Sequence, residues 1–166
     1  MLIYDGHPNL HCVDVSVLGW WGEGGNVNGG EGFRQATNRL IDVYLRSFKK
    51  TPLVALINGY QSTYATSKGT GWRADSFGDV SSWRSGSNTD EQRWNHMFDY
   101  YPMRVCEAKA QESWRDRPVI MECGWVPRMW FNEGFDFDWI VRQGLYPRQP
   151  SRLLIKPLRR RPAAPC

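Results

Sequence analysis

Glu23 and Glu122 are the two carboxylates whose surroundings suit catalysis. Each ends an apolar run, and each has tryptophan close by: Trp20 and Trp21 before Glu23, Trp125 after Glu122. A pair of carboxylates is the minimum equipment for glycoside hydrolysis. One, kept protonated by its surroundings, donates to the leaving oxygen. The other, ionised, attacks the anomeric carbon or activates water. Arg73 suits the ionised member, because a guanidinium holds a nearby carboxylate charged. Asp75, Asn58 and Tyr60 add polar groups for a sugar, and Trp130 adds another aromatic face. Each residue also has a plainer role open to it. Glu23 can be solvated in an ordinary loop, and Glu122 can cap a loop or pair with Arg128. Arg73 and Asp75 can pair with one another, while Tyr60 and Trp130 can simply pack.

The elements that must position these groups follow from the pattern of the chain. Residues 1–11 are irregular, with turn signals at Asp5-Gly6 and His7-Pro8. Cys12–Leu18 carries Val13, Val15, Val17 and Leu18, the composition of a buried strand. A glycine-rich segment from Gly22 to Gly32 leads into a helix expected over Glu31–Lys49. Its apolar face is formed by Phe33, Ala36, Thr37, Leu40, Val43, Tyr44 and Phe48. Leu53–Ile57 reads as a short buried strand, and about Gln61–Ser67 as a short helix. Gly69–Asp75 reads as a third strand, followed by a Gly- and Ser-rich loop over 78–88. Asn88-Thr-Asp-Glu91 resembles an N-terminal cap, so a helix is expected from there to about Tyr101, where Pro102 stops it. Glu107–Trp114 reads as a further helical turn or two. Arg117–Glu122 reads as the fourth strand, with a loop through Trp130 and a last helix over about Asp136–Gln143 after it.

Strand and helix thus alternate four times. Such alternation implies βαβ units around a parallel sheet, an α/β fold. Right-handed crossovers bring the carboxyl ends of all four strands to one face. The candidate groups stand at those ends: Trp20, Trp21 and Glu23; Asn58 and Tyr60; Arg73 and Asp75; Glu122 and Trp125.

The run Val13-Asp-Val-Ser-Val-Leu-Gly-Trp-Trp-Gly-Glu23 resembles the fourth-strand segment of (β/α)8-barrel glycoside hydrolases of the large retaining clan. It is most similar to the β-galactosidase-like glycosidases that carry a D-x-x-x-x-G-x-W-G-E run. Gly71-Trp-Arg-Ala-Asp75 and Pro118-Val-Ile-Met-Glu122 resemble the sixth and seventh strands of the same group, in the right order. The resemblance covers about residues 4–146. It implies that Glu23 is the acid/base and Glu122 the nucleophile. No cofactor is expected, and the compartment is left unknown, with a secreted or periplasmic parent enzyme as one option. Gly22 stands where the clan commonly has Asn, so the amide that would hold the sugar's 2-hydroxyl is absent.

A complete barrel needs roughly 250 residues, whereas this chain has 166. The expectation is therefore a partial (β/α)8 barrel of about four units over residues 1–146, resembling strands four to seven with helices outside. Residues 147–166 form a basic tail rich in Pro and Arg, a composition that favours disorder. An eighth strand is expected after Leu145, where Tyr146-Pro-Arg-Gln-Pro-Ser151 stands instead. That substitution suggests a truncated or out-of-frame end. Half a barrel exposes sheet edges, through which self-association is expected.

Charge and cysteine usage narrow the remaining classes. Seven of the 21 basic residues lie from Arg142 onward with none of the 17 acidic ones, so residues 1–141 carry a balance of −3. The basic pI belongs to the tail. Arg159-Arg160-Arg161 is one short run with no recognition fold attached, so nucleic acid is not the expected partner. No segment approaches the roughly 20 apolar residues of a membrane span. Met1-Leu-Ile-Tyr-Asp5 lacks the basic and apolar regions of a signal peptide. Cys12, Cys106, Cys123 and Cys166 form no CxxC pair, and His7, His11 and His96 make no zinc spacing. Neither a metal site nor a disulfide framework is expected, and Cys12 and Cys123 read as buried thiols. Besides hydrolysis, the tryptophan-rich rim suits a non-catalytic carbohydrate-binding module.

Overall fold

The period of two in the short apolar runs sets the architecture. Along a strand, alternate side chains face opposite sides of the sheet. In the computed structural model, which describes residues 3–15, 30–58, 60–79, 83–84, 93–94, 96–124, 127–132, 134 and 138, four such runs pair side by side. They are β1 (Val13–Asp14), β2 (Leu53–Leu56), β3 (Gly71–Phe77) and, later in the chain, β6 (Val119–Cys123). All neighbours are parallel, in the order β1-β2-β3-β6, and the sheet curls into a half-barrel. The α/β reading holds: the strands alternate with helices as a partial (β/α) barrel does.

One side of the sheet is apolar and carries the helices. Leu53, Ala55 and Val15 pack with Ile41 of α1 (Glu31–Ser47) and Ala65 of α2 (Tyr60–Ser67). Ile57, Trp72, Ala74 and Phe77 pack with Met97, Tyr101 and Val105, the last two from α3 (Tyr101–Glu107). Side chains one residue out of step, Asp14, Arg73, Asp75 and Glu122, lie on the concave side. The strands thus bury helices on one face and deliver charge to the other.

Two glycines are required by close approach. A Cβ at Gly71 would lie 2.0 Å from the Pro118 carbonyl oxygen, and one at Gly124 would lie 2.6 Å from Ser76 Cα. Both sit where β3 meets β6. Their register shifts between Ala74 and Phe77, and Ser76 in that bulge has φ +54°. Left-handed backbone at a serine is strained.

Several boundaries differ from the sequence expectation. α1 stops at Ser47 because Phe48 is extended, with φ −105° and ψ 115°. The next three amides, of Lys49, Lys50 and Thr51, donate to the Asp5 carboxylate at 2.9, 3.0 and 2.9 Å. The buried face of α1 is also rotated. Ile41 is its most buried residue, while Val43 is exposed. The helix expected from Asn88 to Tyr101 is absent over Arg93–Trp94, which forms β5 and pairs antiparallel with β4 (Trp83–Arg84). Among the described residues of that stretch, helical backbone is found from His96, as a π-helical turn over His96–Tyr100, and α3 then runs through Pro102. Proline is tolerated there because a first-turn N–H has no helical partner to lose. A 3₁₀ turn at Ser113–Arg115 replaces the turn expected at Glu107–Trp114. Pro127–Asn132 forms a short helix, α4, where a loop was expected. The last expected helix, over 136–143, falls outside the described residues apart from Asp138, as does the tail. Cys12 and Cys123 are free, but Cys12 is half-buried and Cys123 exposed. Cys106 is disulfide-bonded, which corrects the expectation for the cysteines.

Candidate functional site

Arg73 is the centre of the described site. It lies mid-way along β3, paired in register with Leu56 of β2 and Ile120 of β6. Central placement in a parallel sheet forces its side chain across the concave face. Its Nε donates to Asp14 of β1, and its Nη1 donates to Asp75, two residues along its own strand. The Arg73 side chain is 14% exposed, and those of Asp14 and Asp75 are each 30% exposed. Arg73 Nη1 also stands 3.9 Å from Glu122 Oε2. One guanidinium therefore gathers carboxylates from β1, β3 and β6, using the fork of donors that lysine lacks.

Glu122 differs from the other two acids. It is 70% exposed, and its distance from Arg73 is long for a hydrogen bond. Nothing described pins it in one geometry, so it is the carboxylate in this group most open to a ligand. No ion pair joins it to Arg128 among the described residues. The mutual pairing of Arg73 and Asp75 is present and includes a third partner, Asp14.

The other candidates fall in different places. Asn58 follows β2 at the same end of the sheet, and its Oδ1 accepts from the Tyr100 hydroxyl at 2.5 Å. Burial raises the Tyr100 phenol above its ordinary pKa, and nearby Arg104 opposes that rise. Tyr60 opens α2 and turns toward α1. Its hydroxyl accepts from Asn38 at 2.8 Å, and Arg34 lies over its ring at 5.0 Å. Tyr60 is thus held in the helix layer and does not join the Arg73 group. Trp20, Trp21, Glu23 and Trp125 lie outside the described residues. Trp130 lies in α4, with its side chain also outside them.

Sequence reasoning missed Asp14, although its signal was present. A carboxylate between Val13 and Val15 in a two-sided strand must face the interior of a barrel or a partner cation. It also missed Asp79, whose Oδ2 lies 2.8 Å from His96 Nδ1. That contact joins residues 17 apart in sequence across segments read as loop and helix, so no spacing signal pointed to it. Among the described residues, no group of three or more His, Cys, Asp or Glu is arranged to hold a metal ion. No described helix is long and apolar enough to cross a membrane.

No family model matches the chain, and neither does any curated protein or solved structure.

Proposed function

We propose that this chain is part of a glycoside hydrolase of the retaining type. In this reading Glu122 is the nucleophile and Glu23 the acid/base, within half of a (β/α)8 barrel. The observation that carries it is the Arg73–Glu122 approach at the carboxyl ends of two adjacent parallel strands. Catalytic groups of such folds sit at that end. A nucleophilic carboxylate needs a cation near it and an open face for the anomeric carbon, and Glu122 has both. Asp14 and Asp75 fix the orientation of the guanidinium. Trp20, Trp21, Trp125 and Trp130 supply faces for stacking on pyranose rings in this reading, with Asn58 as a polar contact.

One observation favours the second reading, a carbohydrate-binding module without catalysis. A 70% exposed carboxylate lacks the dry surroundings that most catalytic acids and nucleophiles enjoy. The two readings separate on one experiment. Aryl glycosides are offered to the native chain and to Glu23→Gln and Glu122→Gln. The hydrolase reading expects turnover in the native chain and loss of at least roughly a thousandfold in each variant. Full activity in either variant removes the assignment. Sugar binding without turnover, unchanged by both substitutions, establishes the module instead.

A further inference from the structure

Just past the end of β2, side chains from three segments meet in a line. Tyr100 closes the π-helical turn His96–Tyr100, and such turns concentrate at functional sites. Its hydroxyl lies 2.5 Å from Asn58 Oδ1, across 42 positions of sequence. Arg104, one turn further on in α3, lies over the Tyr100 ring at 5.2 Å and hydrogen-bonds the phenol. Arg104 Nη1 in turn donates to Glu107 at 2.8 Å.

A carboxamide can meet a phenol with either end, and this line decides which. A guanidinium carries donors only. The phenol oxygen therefore accepts from Arg104 and sends its proton to Asn58 Oδ1. Burial raises the Tyr100 pKa, so the phenol keeps that proton to give. The amide is planar, so fixing Oδ1 also fixes Nδ2 and turns its two N–H groups away from Tyr100. Asn58 is half-buried, and its Nδ2 meets no acceptor among the described residues and stays open to solvent. It is an oriented donor without a described protein partner. Its position joins it to the Arg73 group. The β2–β3 ladder runs on to Ile57, whose amide donates to the Arg73 carbonyl at 2.8 Å. Asn58 leaves the sheet directly after that bond. Tyr100 lies near the same group, close enough to Asp75 for that charge to raise its pKa.

We propose that Asn58 Nδ2 donates to an acceptor oxygen of the sugar and that Tyr100, backed by Arg104, is the positioning residue that aims it. The proposal deepens the carbohydrate reading and rests on it. A free carboxamide presents its acceptor as readily as its donor. Pinned by Tyr100 it presents the donor alone, so less ordering is left for the ligand to impose.

The test uses the full chain and two readouts. The first needs no ligand: NMR relaxation of the Asn58 side-chain amide. That amide is expected to be rigid in the native chain and mobile in Tyr100→Phe, with the backbone of β2 unchanged. Equal mobility in the two overturns the positioning role whether or not any sugar binds. The second is calorimetric titration with phenyl gluco-, galacto- and mannopyranosides of the native chain, Tyr100→Phe, Asn58→Ala and the double variant. At least one glycoside is expected to bind the native chain. Each single substitution is expected to weaken it by roughly three- to tenfold, and the double variant to match Asn58→Ala. A tyrosine that only supports the fold would add its loss to that of Asn58→Ala, so additive losses overturn the proposal, as does full affinity in Tyr100→Phe. Full affinity in Asn58→Ala removes Asn58 from the site and leaves the carbohydrate reading standing. Failure of every glycoside to bind the native chain removes the sugar contact and the carbohydrate reading together.

Discussion

At the scale of single residues, Arg73 holds together groups that repel one another. Asp14 and Asp75 approach each other only because the guanidinium stands between them. Its own burial is tolerated because each donor edge meets a carboxylate. Arg73→Met fills similar volume but removes the guanidinium that Asp14, Asp75 and Glu122 share. A fully buried broken pair costs about 3–5 kcal/mol. The acids here are partly exposed, so screening lowers the expected loss to about 1–3 kcal/mol. Urea unfolding measures it directly. Arg73→Lys should recover only part of the loss, because an ammonium lacks the second planar edge. A Met variant as stable as the native chain would show that the cluster contributes nothing to folding. Part of this centre was legible in the sequence. Arg73 and Asp75 were read at the carboxyl end of one strand and as able to pair with one another, and they do pair. The third partner was harder to see, because only the pairing of β1 beside β2 brings Asp14 within reach.

At the scale of elements, the turn at Asp5 decides where α1 ends and β2 begins. Its carboxylate accepts the amides of Lys49, Lys50 and Thr51, and Thr51 Oγ1 accepts the Gly6 amide at 2.7 Å. These backbone bonds, chiefly those from Thr51 and Lys49, lower the Asp5 pKa from 3.8 to about 2. The folded value is depressed, so the stabilisation is full above the unfolded value. It fades as pH falls from about 4 and is gone below about 2. Amide exchange at residues 49–51 should accelerate across that window while exchange in the centre of β2 lags behind. Asp5→Asn should remove the pH step and leave the turn weaker at every pH. A step that persists in Asp5→Asn would assign the effect to another carboxylate. Asp5-Gly6 was legible as a turn, but a carboxylate reaching residues more than forty positions away carries no local pattern. The same reason explains the region before α3. The acidic cap at 88–91 suggested a helix, yet Arg93–Trp94 pairs with Trp83–Arg84, because a cross-strand partner overrides local propensity. β2 was the most legible strand, since the unbroken apolar run Leu53–Ile57 between Pro52 and Asn58 admits few other elements.

At the scale of the whole molecule, the described sheet ends in β1 on one side and β6 on the other. Closed barrels have no such ends. The strand order β1-β2-β3-β6 offers backbone donors and acceptors at its margins to any strand of matching twist. A second copy of this chain presents the same margins, so self-association is the expected solution behaviour. A rival cause is electrostatic. Residues 1–141 carry a balance of −3, and all seven basic residues beyond them carry no acid to offset them, so an acidic body can meet a basic tail of another copy. The two causes differ in their response to salt. Backbone pairing and apolar contact persist or strengthen as ionic strength rises, whereas attraction between exposed opposite charges falls once the screening length drops to a few ångströms. Sedimentation velocity across a concentration series, at about 0.05 and about 0.5 M salt, therefore separates them. Edge pairing expects species heavier than 19.3 kDa at both salts, and the same species after removal of residues 147–166. Dissociation at high salt, or on removing those residues, would assign the contact to charge. A single species of monomer mass throughout would mean that the sheet margins are covered within the chain itself.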